Sequence, residues 1–233
     1  MRIGIVAAMG SERSRIQRLF KNVRESTATP EKVYYVGELG RNEAVLAETG
    51  IGKVNAAIGA VELIRAWHPD CLISTGVAGG IDASLGVMDV VVGAEVVYHD
   101  VDCGPGNVPG QVQGLPPSFA GDPRLLACAK SIAGTESKVA AGLICSGDQF
   151  ITGREQLEAI KARHPAGLAV DMESGALAQV CHIYGVPFLS FRILSDTPGA
   201  EGHFNQYMDF WRTMADRSFA VTEAFLEALP TDF

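Results

Sequence analysis

Short apolar runs alternate along the chain with stretches of helical periodicity. Residues 2–8 (RIGIVAA) read as a strand, and 11–23 read as a helix with Ser11 in the capping position. Residues 33–39 and 43–49 flank Gly40, Arg41 and Asn42, the signal of a hairpin. Val54, Ala57, Ile58, Val61 and Ile64 repeat at helical spacing over 53–67, and the pattern stops before Pro69. Residues 71–75 (CLIST) read as a buried strand, followed by a glycine-rich loop at 76–80. A β-rich run covers 89–99, and the Gly- and Pro-rich stretch 103–121 reads as a loop. Beyond it the pattern predicts helices at 122–133, 153–163 and 174–184 and strands at 138–146, 168–172 and 187–194. A last amphipathic helix is predicted over 204–228.

This βα alternation with one hairpin predicts an α/β protein. Its sheet is mixed and mostly parallel, with helices on both faces. No linker or repeat interrupts residues 1–233, so one domain is expected. In such sheets ligands bind beyond the carboxyl ends of the strands. Four charged residues fall there: Glu12, Glu173, Arg192 and Asp196. Taken singly, Glu12 and Glu173 fit the positive ends of helices and Asp196 fits a turn before Pro198. Arg192 differs, because it interrupts the apolar run LSFRILSD and a buried charge needs a partner.

Composition narrows the possibilities. A net charge of −8 with no run of Lys or Arg argues against nucleic acid. No apolar stretch is long enough for a bilayer, and the N-terminal run is too short for a secretory h-region. The five cysteines are scattered without a CxxC pair, so neither a disulfide framework nor a zinc site is expected, and the cytoplasm is the expected compartment. The histidines form no HxxxH or HExxH, and no serine sits in a GxSxG elbow. The turns GIGKV (50–54) and TGVAGG (75–80) let backbone approach a ligand, yet neither matches a dinucleotide or P-loop fingerprint.

Seven segments in register carry a more specific signal: IGIVAAMGSE (3–12), TGIGKVNAA (49–57), STGVAGG (74–80), YHD (98–100), GLICSGDQFI (142–151), AVDMESGALAQVC (169–181) and RILSD (192–196). Together they resemble the 5′-methylthioadenosine/S-adenosylhomocysteine nucleosidases of the nucleoside phosphorylase/hydrolase superfamily, from residue 1 to about residue 228. The resemblance implies a three-layer α/β/α fold, a homodimer and a small nucleoside as substrate; no cofactor or metal is expected. It implies hydrolysis of the bond between adenine and the ribosyl carbon. By resemblance Glu12 activates water, Asp196 protonates the leaving adenine, Glu173 grips the ribose hydroxyls, and Arg192 orients the water. Phe150 and Ile151 match the base-binding segment, Met172 the ribose wall, and Met9, Ile51 and Tyr207 the 5′-alkylthio pocket, with Phe204 competing for the place of Tyr207. Val77, Ala78, Gly79 and Ser195 complete the substrate contacts.

Two residues depart from the family pattern. Val77 stands where many members carry Ser, and Asp171 where Glu often precedes the Met-Glu pair. Loop 101–117 also varies, which leaves the 5′ preference open. Three other readings compete: a purine nucleoside phosphorylase, a nucleosidase for another 5′-modified (futalosine-type) nucleoside, and a nucleoside-binding protein without catalysis. Glu12 weighs against the first by repelling phosphate.

Overall fold

The computed structural model describes residues 1–29, 32–132 and 137–232. Its strands are β1 (Arg2–Ala7), β2 (Lys21–Thr29), β3 (Lys32–Leu39), β4 (Asn42–Glu48), β5 (Cys71–Gly80), β6 (Val90–Tyr98), β7 (Phe119–Ala120), β8 (Val139–Ser146), β9 (Gly167–Asp171) and β10 (Phe188–Asp196). Its helices are α1 (Gly10–Gln17), α2 (Lys53–Trp67), α3 (Pro123–Lys130), α4 (Arg154–Arg163), α5 (Ser174–Tyr184), α6 (His203–Asp209) and α7 (Ala215–Glu227).

All the strands join one mixed sheet. β5 is the pivot, because it is long enough to pair with three neighbours. Residues 71–74 run parallel to β1, 72–79 parallel to β10, and the last two glycines antiparallel to β9. β10, β6, β8 and β9 follow one another from there and close a ring back on β5. β4, β3 and β2 extend from β1 as an open wing.

Side-chain alternation puts a layer of helices on each face. Ile3, Ile5, Ala44, Leu46, Cys71 and Ile73 face one core, shared with Ile16 of α1, Leu125 of α3 and Phe219 and Phe225 of α7. Val6, Val45, Ala47 and Leu72 face the other, against Ala56, Ala60 and Leu63 of α2 and Leu177 of α5. This is the three-layer α/β/α arrangement that the alternation predicts.

Several elements differ from the sequence reading. The helix predicted to 23 stops at Gln17, because the chain turns at Arg18–Leu19 and enters β2. β2 carries no apolar period to announce it: its residues 21–25 are all exposed on the sheet edge. The 76–80 segment is strand rather than loop. Its glycines allow backbone to run where a side chain would collide; a Cβ on Gly76 would lie 2.8 Å from both Glu12 Cδ and Arg192 Nη1. The helix predicted over 204–228 is broken by a π-helical turn, Phe210–Met214, with Phe210 fully buried. Of the helix predicted at 122–133, α3 ends at Lys130, capped at its start by Asp122, and Ala133 lies outside the described residues.

Candidate active site

The carboxyl ends of β1, β5, β9 and β10 and the segment after β8 converge on one cavity of about 620 Å³, counted to its open mouth. Glu12, Glu173 and Asp196 line it, with Met9, Ile51, Val77, Ala78, Gly79, Phe150, Ile151, Met172, Ser195 and Tyr207. Arg192 does not. It is buried behind the wall, and its guanidinium is the cation beneath the carboxylates. Ala8, Gln149, Val170, Asp171 and Pro198 also line the cavity, and sequence reasoning missed them as site residues. Asp171 carried a signal, being a carboxylate two residues before Glu173 at the end of an apolar run.

Glu12 is held by backbone alone. Its Oε2 accepts from the N–H groups of Ala8 (3.1 Å) and Met9 (3.0 Å), and its Oε1 from Val77 N–H (3.0 Å). The Met9 bond is half of a capping box at the start of α1. Burial pushes the Glu12 carboxyl above its ordinary value, against the opposing pull of Arg192 and the three N–H groups. At position 77 it is the main chain that serves Glu12, so a valine fills the position without losing that bond.

Glu173 ends the turn after β9. Its Oε1 accepts from Gly52 N–H at 2.9 Å, at the first turn of α2. Burial first, then the nearby Asp171, raises its carboxyl to about 7, with Glu12 adding and Arg192 and the Gly52 N–H opposing. Asp196 sits at the end of β10, where Ser195 Oγ donates to its Oδ1 at 2.7 Å. Burial raises the Asp196 carboxyl, against that hydrogen bond and His203. Carboxyls raised above their ordinary value hold a proton more readily, which suits them to acid–base chemistry.

Arg192 is 1% exposed and pairs with Asp171 through Nε–Oδ2 at 2.8 Å. Its Nη2 donates to Ser74 Oγ at 2.7 Å and Ser174 Oγ at 3.2 Å. Ser174 Oγ in turn donates to Asp171 Oδ2 and lies 2.7 Å from Ser190 Oγ. The sequence marked Arg192 as needing a partner, and Asp171 supplies it.

An aromatic wall closes the other side. Tyr207 meets Phe150 edge-on at 5.6 Å between ring centroids, and its hydroxyl lies 3.9 Å from Met9 Sδ. Phe204, the competitor for this place, stacks behind Tyr207 at 6.4 Å and does not line the cavity. Among the described residues no group of His, Cys, Asp and Glu is arranged to hold a metal ion.

A family model described as the Phosphorylase superfamily matches residues 2–227, so the fold and the cavity define a protein of that superfamily. A 5′-methylthioadenosine/S-adenosylhomocysteine nucleosidase of Chromohalobacter salexigens is 40% identical over 99% of this chain and 98% of its own length. Among solved structures, the nucleosidase of Colwellia psychrerythraea in complex with adenine superposes with a TM-score of 0.93 at 34% identity, covering 100% of this chain and 97% of that one. The Streptococcus pneumoniae nucleosidase with the transition-state inhibitor MT-ImmA gives a TM-score of 0.92 at 35% identity, over 99% of this chain and all of that one. The chain belongs to the 5′-methylthioadenosine/S-adenosylhomocysteine nucleosidase family.

Proposed function

We propose that this chain hydrolyses the N-glycosidic bond of 5′-methylthioadenosine and S-adenosylhomocysteine, releasing adenine and the 5-thioribose product. One observation carries hydrolysis over phosphorolysis. Four carboxylates line the cavity (Glu12, Asp171, Glu173 and Asp196) and, among the described residues, no Lys or Arg does. Those of the four that are ionised would repel a phosphate nucleophile in a low-dielectric site and would not repel neutral water. The helix N-terminus best placed to receive an anion is already used: Gly52 N–H donates to Glu173 and Lys53 N–H to Asp148.

The geometry supports the roles that the resemblance implies. Glu12 takes the proton from water, held in one orientation by its three N–H donors. Asp196, whose carboxyl burial raises above its ordinary value, gives its proton to the purine as the bond to carbon breaks. Glu173 holds the ribose hydroxyls, and its charge favours the cation-like sugar of the transition state. Phe150 stacks on the base beside the backbone of Ile151, and Met172 lines the sugar. Met9, Ile51 and Tyr207 receive the 5′-alkylthio group. Arg192 stabilises Glu12 and Glu173 from behind and requires no contact with substrate.

Residues 1–233 act as one catalytic domain in this reading, and the working form is a homodimer in the cytoplasm. Val54 and Ile58 of α2, Ile183 and Tyr184 of α5, and Val108 in the loop after β6 are exposed, which supports a second copy as their cover. Sedimentation of a fully active monomer at micromolar concentration would refute the dimer.

Adenine release from methylthioadenosine, with and without phosphate, tests the activity. Prompt release in phosphate-free buffer is expected. Release only with phosphate, with a 5-methylthioribose 1-phosphate product, would establish a phosphorylase and remove Glu12 from its role.

A further inference from the structure

Lys53 takes no part in the chemistry above, yet it joins three segments around it. Its ammonium group reaches Asp100 Oδ2 at 2.9 Å and lies 3.9 Å from Asp148 Oδ2. The same Asp100 oxygen accepts from Asp148 N–H at 2.8 Å, and Asp148 Oδ1 accepts from Lys53 N–H at 2.7 Å. Lys53 Nζ also stands 5.3 Å from the centre of the Tyr98 ring. The side chains of Lys53 and Asp100 are 24% and 16% exposed, so water screens this pair less than an open surface pair. Burial opposes ionisation of Asp100, but the Lys53 and Asp148 bonds outweigh it and hold its carboxyl below the ordinary value.

The sequence neighbours of this cluster line the active cavity. Gly52 precedes Lys53 and donates to Glu173, and Ile51 before it lines the cavity. Gln149, Phe150 and Ile151 follow Asp148 directly and line it too. Gly52 itself is held by no side-chain cap and sits at φ 91°, so its own backbone does little to fix its direction. We propose that Lys53, clamped between Asp100 and Asp148, is a positioning residue: it fixes the first turn of α2 so that Gly52 N–H meets Glu173, and ties that contact to the Gln149–Ile151 segment. This rests on the reading of Glu173 as the ribose-holding carboxylate.

The clamp has a consequence that packing alone does not. The Gly52 N–H favours the ionised form of Glu173, as does Arg192 of β10, against Asp171 of β9 and Glu12 of α1. Loosening the first turn of α2 removes one of the two groups that favour ionised Glu173 and leaves the others in place.

The test is Lys53→Met, which removes the ammonium and leaves the N–H bond to Asp148, with Lys53→Arg as the conservative partner. Adenine release is measured from pH 5 to 9, and amide hydrogen exchange of residues 50–57 is read in the same proteins. Lys53→Met is expected to lower kcat/KM roughly 10- to 100-fold, on the scale of a small misplacement of a catalytic group. It should also move the acid limb of the profile to higher pH and speed exchange at 50–57. Lys53→Arg should restore all three. A Lys53→Met enzyme within twofold of the wild type with an unmoved profile overturns the proposal. So does a loss of rate without a shifted limb that Lys53→Arg fails to rescue, since that is the mark of general destabilisation. If the wild type itself releases no adenine, the functional reading fails, and unchanged exchange at 50–57 in Lys53→Met still overturns the clamp.

Discussion

Replacing Glu173 by glutamine should make the protein more stable and much less active, and the gain in stability should depend on pH. The Glu173 carboxyl stands at about 7 in the fold against an ordinary 4.5, first because it is buried and then because Asp171 lies beside it. The folded chain therefore holds that proton more tightly than the unfolded chain. A carboxyl with a raised folded value costs the native state stability as pH climbs from the unfolded value to the folded one. At about 1.4 kcal/mol per pH unit, the full span amounts to about 3 kcal/mol. Glutamine keeps the shape and an oxygen to accept the Gly52 N–H, 2.9 Å away in the wild type, but has no charge to desolvate. Urea unfolding at pH 5, 6, 7 and 8, with both proteins at equal concentration, measures the difference. The variant should exceed the wild type by less than about 1 kcal/mol at pH 5 and by about 3 kcal/mol at pH 8. Adenine release should fall roughly 10²- to 10³-fold, the scale of losing one electrostatic contact to the transition state. A stability gap that stays flat across this range, or that favours the wild type as pH rises, would refute the argument that burial strains the Glu173 charge.

The other predictions concern its neighbours. Arg192→Met leaves Asp171 buried without its 2.8 Å partner, and unfolding in urea should show a loss of about 3–5 kcal/mol. Glu12→Gln removes the base, so kcat should drop roughly 10²- to 10⁴-fold, while calorimetry finds adenine binding nearly unchanged. Asp196→Asn cannot transfer a proton to the purine. Adenine release should fall by roughly 10²- to 10⁴-fold and the alkaline limb of the rate profile, set by loss of the Asp196 proton, should disappear.

Much of the fold was legible because it is written in local periods. The apolar run of β1, the helical spacing over Lys53–Trp67 and the two-residue turn between β3 and β4 each lie within a few residues of chain. β2 was not legible, since an edge strand exposed over residues 21–25 has no apolar face to mark it. Nor was the strand character of 76–80, because glycines that read as a loop serve there as empty space beside Glu12 and Arg192. In the site, the motifs named Glu12, Glu173 and Asp196 and the apolar residues around them, and these do line one cavity.

By itself the sequence determined the alternation of elements, the acidic character of the chain, and which charged residues fall at strand ends. Only the tertiary structure decided how those charges are arranged. It set Arg192 behind the cavity wall with Asp171 as its partner, and Glu12 against the N–H of Val77, 65 positions along the chain. It also set Glu173 against the N–H of Gly52, 121 positions away. A chain pattern carries information over one or two turns of helix. The closing of β5 onto β1, β10 and β9 brings the distant strand ends within hydrogen-bond reach, and the burial that follows raises the carboxyls toward neutrality.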